Sequence, residues 1–278
     1  MPPLVYCDQN FVATTHDGPE AYRTRVQGLA STRTVTYVFS PWHWVDMAED
    51  AIVARSASVA DFIDSISPAW LYERRNIQEK EVSRAFYNFI GLQIPPQPMI
   101  GNINNVLYKL TGTAAHRDTR AFVAHIGTVG PDHPLRSNLR KAYATNQKNS
   151  ADFRAGKITA QIQQDIERLY IQGLLPAATP SGVVIDGSTK NAFLNSYALS
   201  TFPSIALEHF VTRDNWTTGR QLSQNNFLDQ QHIMALPYVD LFVTDDKGFK
   251  GLMRRAAQSF PFRTAEVLTR ADFDARFP

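Results

Sequence analysis

Three acids stand where short apolar runs stop. Asp245 and Asp246 follow the run at residues 240–243, and Asp8 follows the run at residues 4–7. An acid at the end of a buried strand does not serve packing. In open α/β sheets ligands bind outside the carboxyl ends of the strands. Carboxylates gathered there repel one another unless a cation or a proton intervenes. A hard divalent metal, which takes oxygen ligands, is the natural partner. Two such strands from opposite ends of one chain predict a single composite site.

The elements that must position these acids are readable from pattern. Residues 35–39 are β-branched and aromatic and predict a strand. Ser40 and Pro41 then open a helix, Ser as its cap and Pro at its first position. In that helix Trp42, Val45, Ala48 and Ile52 can form a buried face, while Asp46 and Asp50, four apart, share a neighbouring one. Residues 19–29, with Tyr22, Val26 and Leu29 on one side, predict an earlier helix. Strand, helix, strand, helix favours a parallel sheet with right-handed crossovers. The middle, about 56–220, breaks the alternation with helical spacing at 58–66, 77–90, 134–145, 159–173 and 203–211. The tail predicts a helix at 251–258, a last strand at 264–268 and a closing helical turn at 271–277.

Together these marks resemble the PIN-domain family, metal-dependent ribonucleases within the flap-endonuclease-like group. Its pattern opens with a strand ending in an acid and an Asn two places on, as in Asp8-Gln9-Asn10. A strand, a Ser-Pro helix start and an acid six residues after the Ser follow, here Ser40 and Asp46. Then come an acid in the helix before the last core strand, Asp229, and a strand running into Thr-x-Asp and Phe, here Thr244-Asp245-Asp246 and Phe249. The resemblance covers roughly the first 55 and last 65 residues. It implies a three-layer α/β/α sandwich on a central parallel sheet. The expected single domain, 1–278, has its core in 1–55 and 221–278 and a large helical insertion at 56–220. Two departures stand out: the second acid is usually Glu in the family and is Asp46 here, and the chain is about twice a minimal PIN domain.

The implied activity is phosphodiester hydrolysis with Mg²⁺ or Mn²⁺ held by Asp8, Asp46, Asp229 and Asp246, most readily on RNA. Asn10 would orient Asp8, and Thr244 would hydrogen-bond a ligand or phosphate oxygen. Of Asp245 and Asp246 one is expected to be a turn or cap residue, and the family pattern favours Asp246 as ligand. Plainer roles stand beside these. Asp8 can cap the next helix, Asp46 can be a solvated helix residue with Glu49 or Asp50 as second acid, and Asp229 can be a surface charge. His232, three residues after Asp229, is either a support to the site or a packed core histidine. Asp240 is expected to be structural. The alternative function is a catalytically inactive PIN-like scaffold that binds RNA or protein.

The totals exclude several classes. A net charge of +2 advertises no polyanion partner globally, and 44% hydrophobic with 19% charged residues fits an ordinary globular chain. The one cysteine, Cys7, rules out an internal disulfide and a thiolate zinc cluster, and fits a reducing compartment. The histidines show no zinc-ligand spacing. Walker loop, dinucleotide glycine fingerprint and Gly-x-Ser-x-Gly elbow are all missing. Aspartyl-nucleophile phosphatases want Asp where Asn10 stands. No secretion signal and no apolar run of membrane length is present, so a cytoplasmic location is expected. For nucleic-acid contact the candidates are Arg74, Arg75 and Lys80 beside Trp70, Tyr72 and Tyr87, and a second group of Arg136, Arg140, Lys141 and Lys148. Each competes with a plain solvated helix face. A homo-oligomer or a protein partner through the helical middle completes the expectations.

Overall fold

The computed structural model describes residues 1–49, 53–111, 118–218 and 223–278, the side chains of Val53, Thr111, Gln224, Asn225, Asn226 and Asp229 excepted. Asp50 and Ile52 therefore lie outside the described residues, as does the side chain of Asp229. The first half runs β1 (Leu4–Cys7), α1 (Gln9–Asp17), α2 (Glu20–Ser31), β2 (Thr36–Phe39), α3 (Pro41–Glu49), α4 (Val53–Ser65), β3 (Ala69–Leu71) and α5 (Arg74–Phe89). Next come β4 (Ile100–Gly101), α6 (Ile103–Thr111), α7 (Thr119–Val129), α8 (Pro134–Arg154), α9 (Ala160–Leu174), α10 (Gly187–Leu194) and α11 (Pro203–Thr218). The last part is α12 (Gln224–Gln231), a 3-10 turn at His232–Ala235, β5 (Leu241–Val243), α13 (Lys247–Ser259), β6 (Glu266–Leu268) and α14 (Arg270–Arg276).

The strands form one six-stranded sheet in the order β4-β3-β2-β1-β5-β6, parallel except for the β3–β4 pair. The chain steps outward from β1 through β2 and β3, then starts again on the other side of β1 with β5 and β6. The order therefore reverses between β1 and β5. At such a switch point the connections leave in opposite directions and open a crevice beyond the strand ends. Register aligns Cys7 with Val243, and the Asp8 N–H donates to the Val243 carbonyl at 3.1 Å. At the other end of the pair, Asp240 accepts from the Leu4 N–H at 2.8 Å and pairs with Arg263. Asp240 is thus a register pin for β1, the structural role expected of it.

Strands buried on both faces carry large apolar side chains, and these do. Tyr6 and Phe242, neighbours in register, look to one face, where Phe249 of α13 meets Phe242 with ring centroids 5.7 Å apart. Tyr37, in register with Val5, looks to the other, near Phe273 of α14. Trp44 of α3 stacks on Trp70 of β3 at 4.5 Å and meets Phe122 of α7 edge-on at 4.7 Å. A second core joins α5, α9, α10 and α11 through Phe86, Ile171, Phe193 and Ile205.

The middle of the chain is not wholly helical. Residues 69–71 and 100–101 are strands of the central sheet. They carry no readable period because they are three and two residues long, and burial of Trp70 and Leu71 is what fixes the first. At Gly101 a Cβ would come within 2.9 Å of the Tyr72 hydroxyl, so a larger residue there would push against that ring. Among the described residues no helix is long and apolar enough to cross a membrane.

Candidate functional site

Acids from both ends of the chain line one cavity at the switch point. Asp8, Asp46 and Asp246 line one cavity of about 420 Å³, together with Asn10, Glu49, His232 and others. Each is placed by the element before it. Asp8 ends β1 and caps α1, its Oδ1 accepting from the Phe11 N–H at 2.7 Å. Asp246 does the same after β5, capping α13 through the Phe249 N–H at 2.7 Å. Capping and ligation do not compete outright, because a carboxylate has about four lone-pair sites and a cap takes one. Asp46 reaches the cavity from α3, the helix that follows β2 on the far side of β1. Asp229 belongs to α12, the helix leading into β5.

The accessory residues separate. The Thr244 hydroxyl is fully buried and accepts from the Asp246 N–H at 3.1 Å, so it shapes the turn that presents Asp246 and is not turned to the cavity. Asp245 faces away and accepts from the Arg270 N–H at 2.9 Å, tying β5 to α14. Asn10 lines the cavity and is exposed.

Behind the acids runs a buried polar chain in which Tyr6 and His43 carry no mark in the sequence. His232 Nε2 lies 3.2 Å from Asp46 Oδ2, and its Nδ1 lies 2.5 Å from the Tyr6 hydroxyl. Tyr6 continues to the Ser40 hydroxyl at 2.7 Å. Ser40 thus serves the core with its side chain instead of capping α3 as its position suggested. The Ser40 N–H donates to His43 Nδ1 at 3.1 Å, which leaves the proton on Nε2, and that group donates to the Cys7 carbonyl at 2.8 Å. Burial pushes the Asp46 carboxyl well above the usual carboxylate range, with the nearby Glu49 adding to it. Burial also pulls His232 down to about 3, so it is neutral. A neutral imidazole donates at one nitrogen and accepts at the other. The chain therefore runs toward Asp46 when that acid is ionised and away from it when protonated. The Tyr6→Phe variant leaves two buried groups, His232 Nδ1 and Ser40 Oγ, short of a partner. It is expected to lose about 1–3 kcal/mol in urea unfolding; an unchanged midpoint would show that water replaces the phenol.

The first basic and aromatic group proposed for nucleic acid is built into the fold. Trp70, Tyr72 and Tyr87 are buried among the side chains of the two cores. Arg74 pairs with Glu208 at 2.5 Å and Arg75 with Glu79 at 2.8 Å. Lys80 sits 3.5 Å above the Tyr72 ring and donates to the Pro98 carbonyl at 2.6 Å. In the second group Arg136 reaches Glu49 at 3.7 Å, while Arg140, Lys141 and Lys148 of α8 are exposed.

Among the described residues no three His, Cys, Asp or Glu side chains converge closely enough to hold a metal ion. No protein-family model, curated protein or solved structure matches the chain.

Proposed function

We propose that the protein is a PIN-like, metal-dependent nuclease acting on RNA. The observation that carries this reading is the meeting of Asp8, Asp46 and Asp246 in one cavity at the sheet's switch point, from three segments far apart in sequence. The order of marks supports it: acid after β1, Ser-Pro and acid in α3, acid in α12, Thr-x-Asp after β5. The donors fit a hard divalent cation in kind, since all are carboxylate oxygens. Asp8 and Asp246 would hold Mg²⁺ or Mn²⁺, with Asp46 and Asp229 completing the set. When bound, such an ion supplies Lewis acidity toward the phosphate and acidifies a water for attack. The chain's own part is to gather negative charge at one point, to fix Asp8 and Asp246 through their caps, and to keep a proton path at Asp46 Oδ2 and His232 Nε2.

A second reading, a PIN-like scaffold that binds without cutting, is favoured by the open spacing of the described acids. Incubation with labelled RNAs and DNAs in Mg²⁺, Mn²⁺ or EDTA separates the two. Metal-dependent RNA cleavage that EDTA stops is the expected result. Binding without cleavage under every metal would leave the scaffold.

A further inference from the structure

A second cavity, of about 390 Å³, lies among α8, α9, α11 and α12. Its volume falls in the roughly 300–1,000 Å³ of small-molecule sites. The turn of chain around α12 divides it from the acid site: Leu228 and His232 face the acids, whereas Phe227, Gln231 and Ile233 face this space. Ile205, Trp216 and Phe227 give it apolar and aromatic walls.

Its polar lining includes six side-chain amides, Asn146, Asn149, Gln163, Asn215, Gln230 and Gln231, of which Gln163 meets His209 Nε2 at 3.0 Å and Gln231 donates to the Phe227 carbonyl at 3.2 Å. Asn146, nine-tenths buried, takes the Trp216 indole N–H on its Oδ1 at 3.0 Å, and an indole only donates, so the amide NH₂ is the arm left over. Asn149, one turn on along α8, also lines the cavity with its amide. Asn215 and Gln230 close a reciprocal amide pair at 2.7 and 3.2 Å. Of the charges in the wall, Arg74 pairs with Glu208 at 2.5 Å, while Glu167 takes the Tyr197 hydroxyl at 2.9 Å and lies 3.8 Å from His209, whose burial favours the neutral ring. The remaining cation, Lys141, is exposed, as is Thr145 next to it on α8.

An amide offers a donor and an acceptor in one plane, which matches the adjacent donor and acceptor atoms on a base edge. Aromatic walls suit the faces of the same ring. We propose that this cavity binds a nucleobase, its ring inside against the amides and its sugar outward at Lys141. The base comes either from a free nucleoside or from an unpaired position in RNA. The inference stands on this cavity alone and does not need the acids to be catalytic.

Calorimetry and ligand-observed NMR on the full chain, with adenosine, guanosine, cytidine and uridine each alone, test it. At least one nucleoside is expected to bind with a Kd of about 1 mM or below, and its 5′-monophosphate at least as tightly, because Lys141 stands exposed where the sugar leaves the cavity. Asn149→Leu removes an amide and Thr145→Trp fills the mouth. Each should weaken binding about tenfold or more with an unchanged thermal melt, while Asp8→Asn leaves it intact. Competition by a short single-stranded RNA assigns the base to RNA, and failure to compete assigns it to the free nucleoside; both uphold the site. Binding of no nucleoside, or binding that survives both cavity variants, would overturn it.

Discussion

Replacing Asp8 or Asp246 by Asn is expected to lower metal-dependent RNA cleavage at least about a hundredfold, the scale on which loss of electrostatic stabilisation shows in enzymes. The substitution is clean for a structural reason. Both residues cap helices through a side-chain oxygen, and Asn caps as well as Asp, so α1 and α13 keep their N-termini while the site loses a charge. Binding of RNA should fall much less, because affinity for phosphates rests on cations elsewhere. Asp229→Asn is expected to match these two. Asp46→Asn should cost less, since Asp46 already shares one oxygen with His232. Gel assays of cleavage beside filter binding give both readouts, and parallel loss of the two would point to misfolding.

The next largest effect is on the pH dependence of stability. Glu81 of α5 is buried where α11 and the chain before β5 meet it; the Ser204 N–H donates to it at 2.9 Å, its hydroxyl at 2.7 Å, and the Tyr238 hydroxyl also donates. Burial outweighs these donors and raises Glu81 from the usual 4.5 to about 7. Between those values the folded chain holds a proton that the unfolded chain has released. Stability from this group is therefore full below pH 4.5, falls as pH rises, and is lost above about 7. The span corresponds to roughly 3 kcal/mol. Glu81→Gln keeps an acceptor and removes the charge. Urea midpoints of wild type and variant should converge near pH 4.5 and separate in the variant's favour toward pH 8. Parallel curves would mean that Glu81 is hydrated.

How far the sequence carries can be judged residue by residue. Asp8, Asp46 and Asp246 could be picked out because each follows a strongly patterned stretch: Asp8 the apolar run of β1, Asp46 the Ser40-Pro41 helix start six residues after its Ser, and Asp246 the run that ends at Val243. That they line one cavity followed from the parallel order of the strands, with β1 between β2 and β5. The sheet's far edge was not legible, since Ala69–Leu71 and Ile100–Gly101 are too short to show alternation. The aromatic and basic group around Trp70 was misread for a related reason. Composition shows that rings and cations are near in sequence but not which of them face inward, and here Trp70, Tyr72 and Tyr87 do. The chain from Tyr6 to Ser40 and His232 joins residues 34 and 226 positions apart, and only the folded sheet brings them together.

The claim on which the functional reading rests is that these acids form one divalent-cation site, and Mn²⁺ titration followed by calorimetry and thermal melting tests it most directly. A cation that binds only the folded state raises its stability, by about 2.7 kcal/mol at a hundred times the Kd. Wild type is expected to bind Mn²⁺ and melt higher with it, and Asp8→Asn and Asp246→Asn each to lose most of that gain. No heat and no shift in wild type at millimolar Mn²⁺, or a shift that both Asn variants retain in full, would contradict the site.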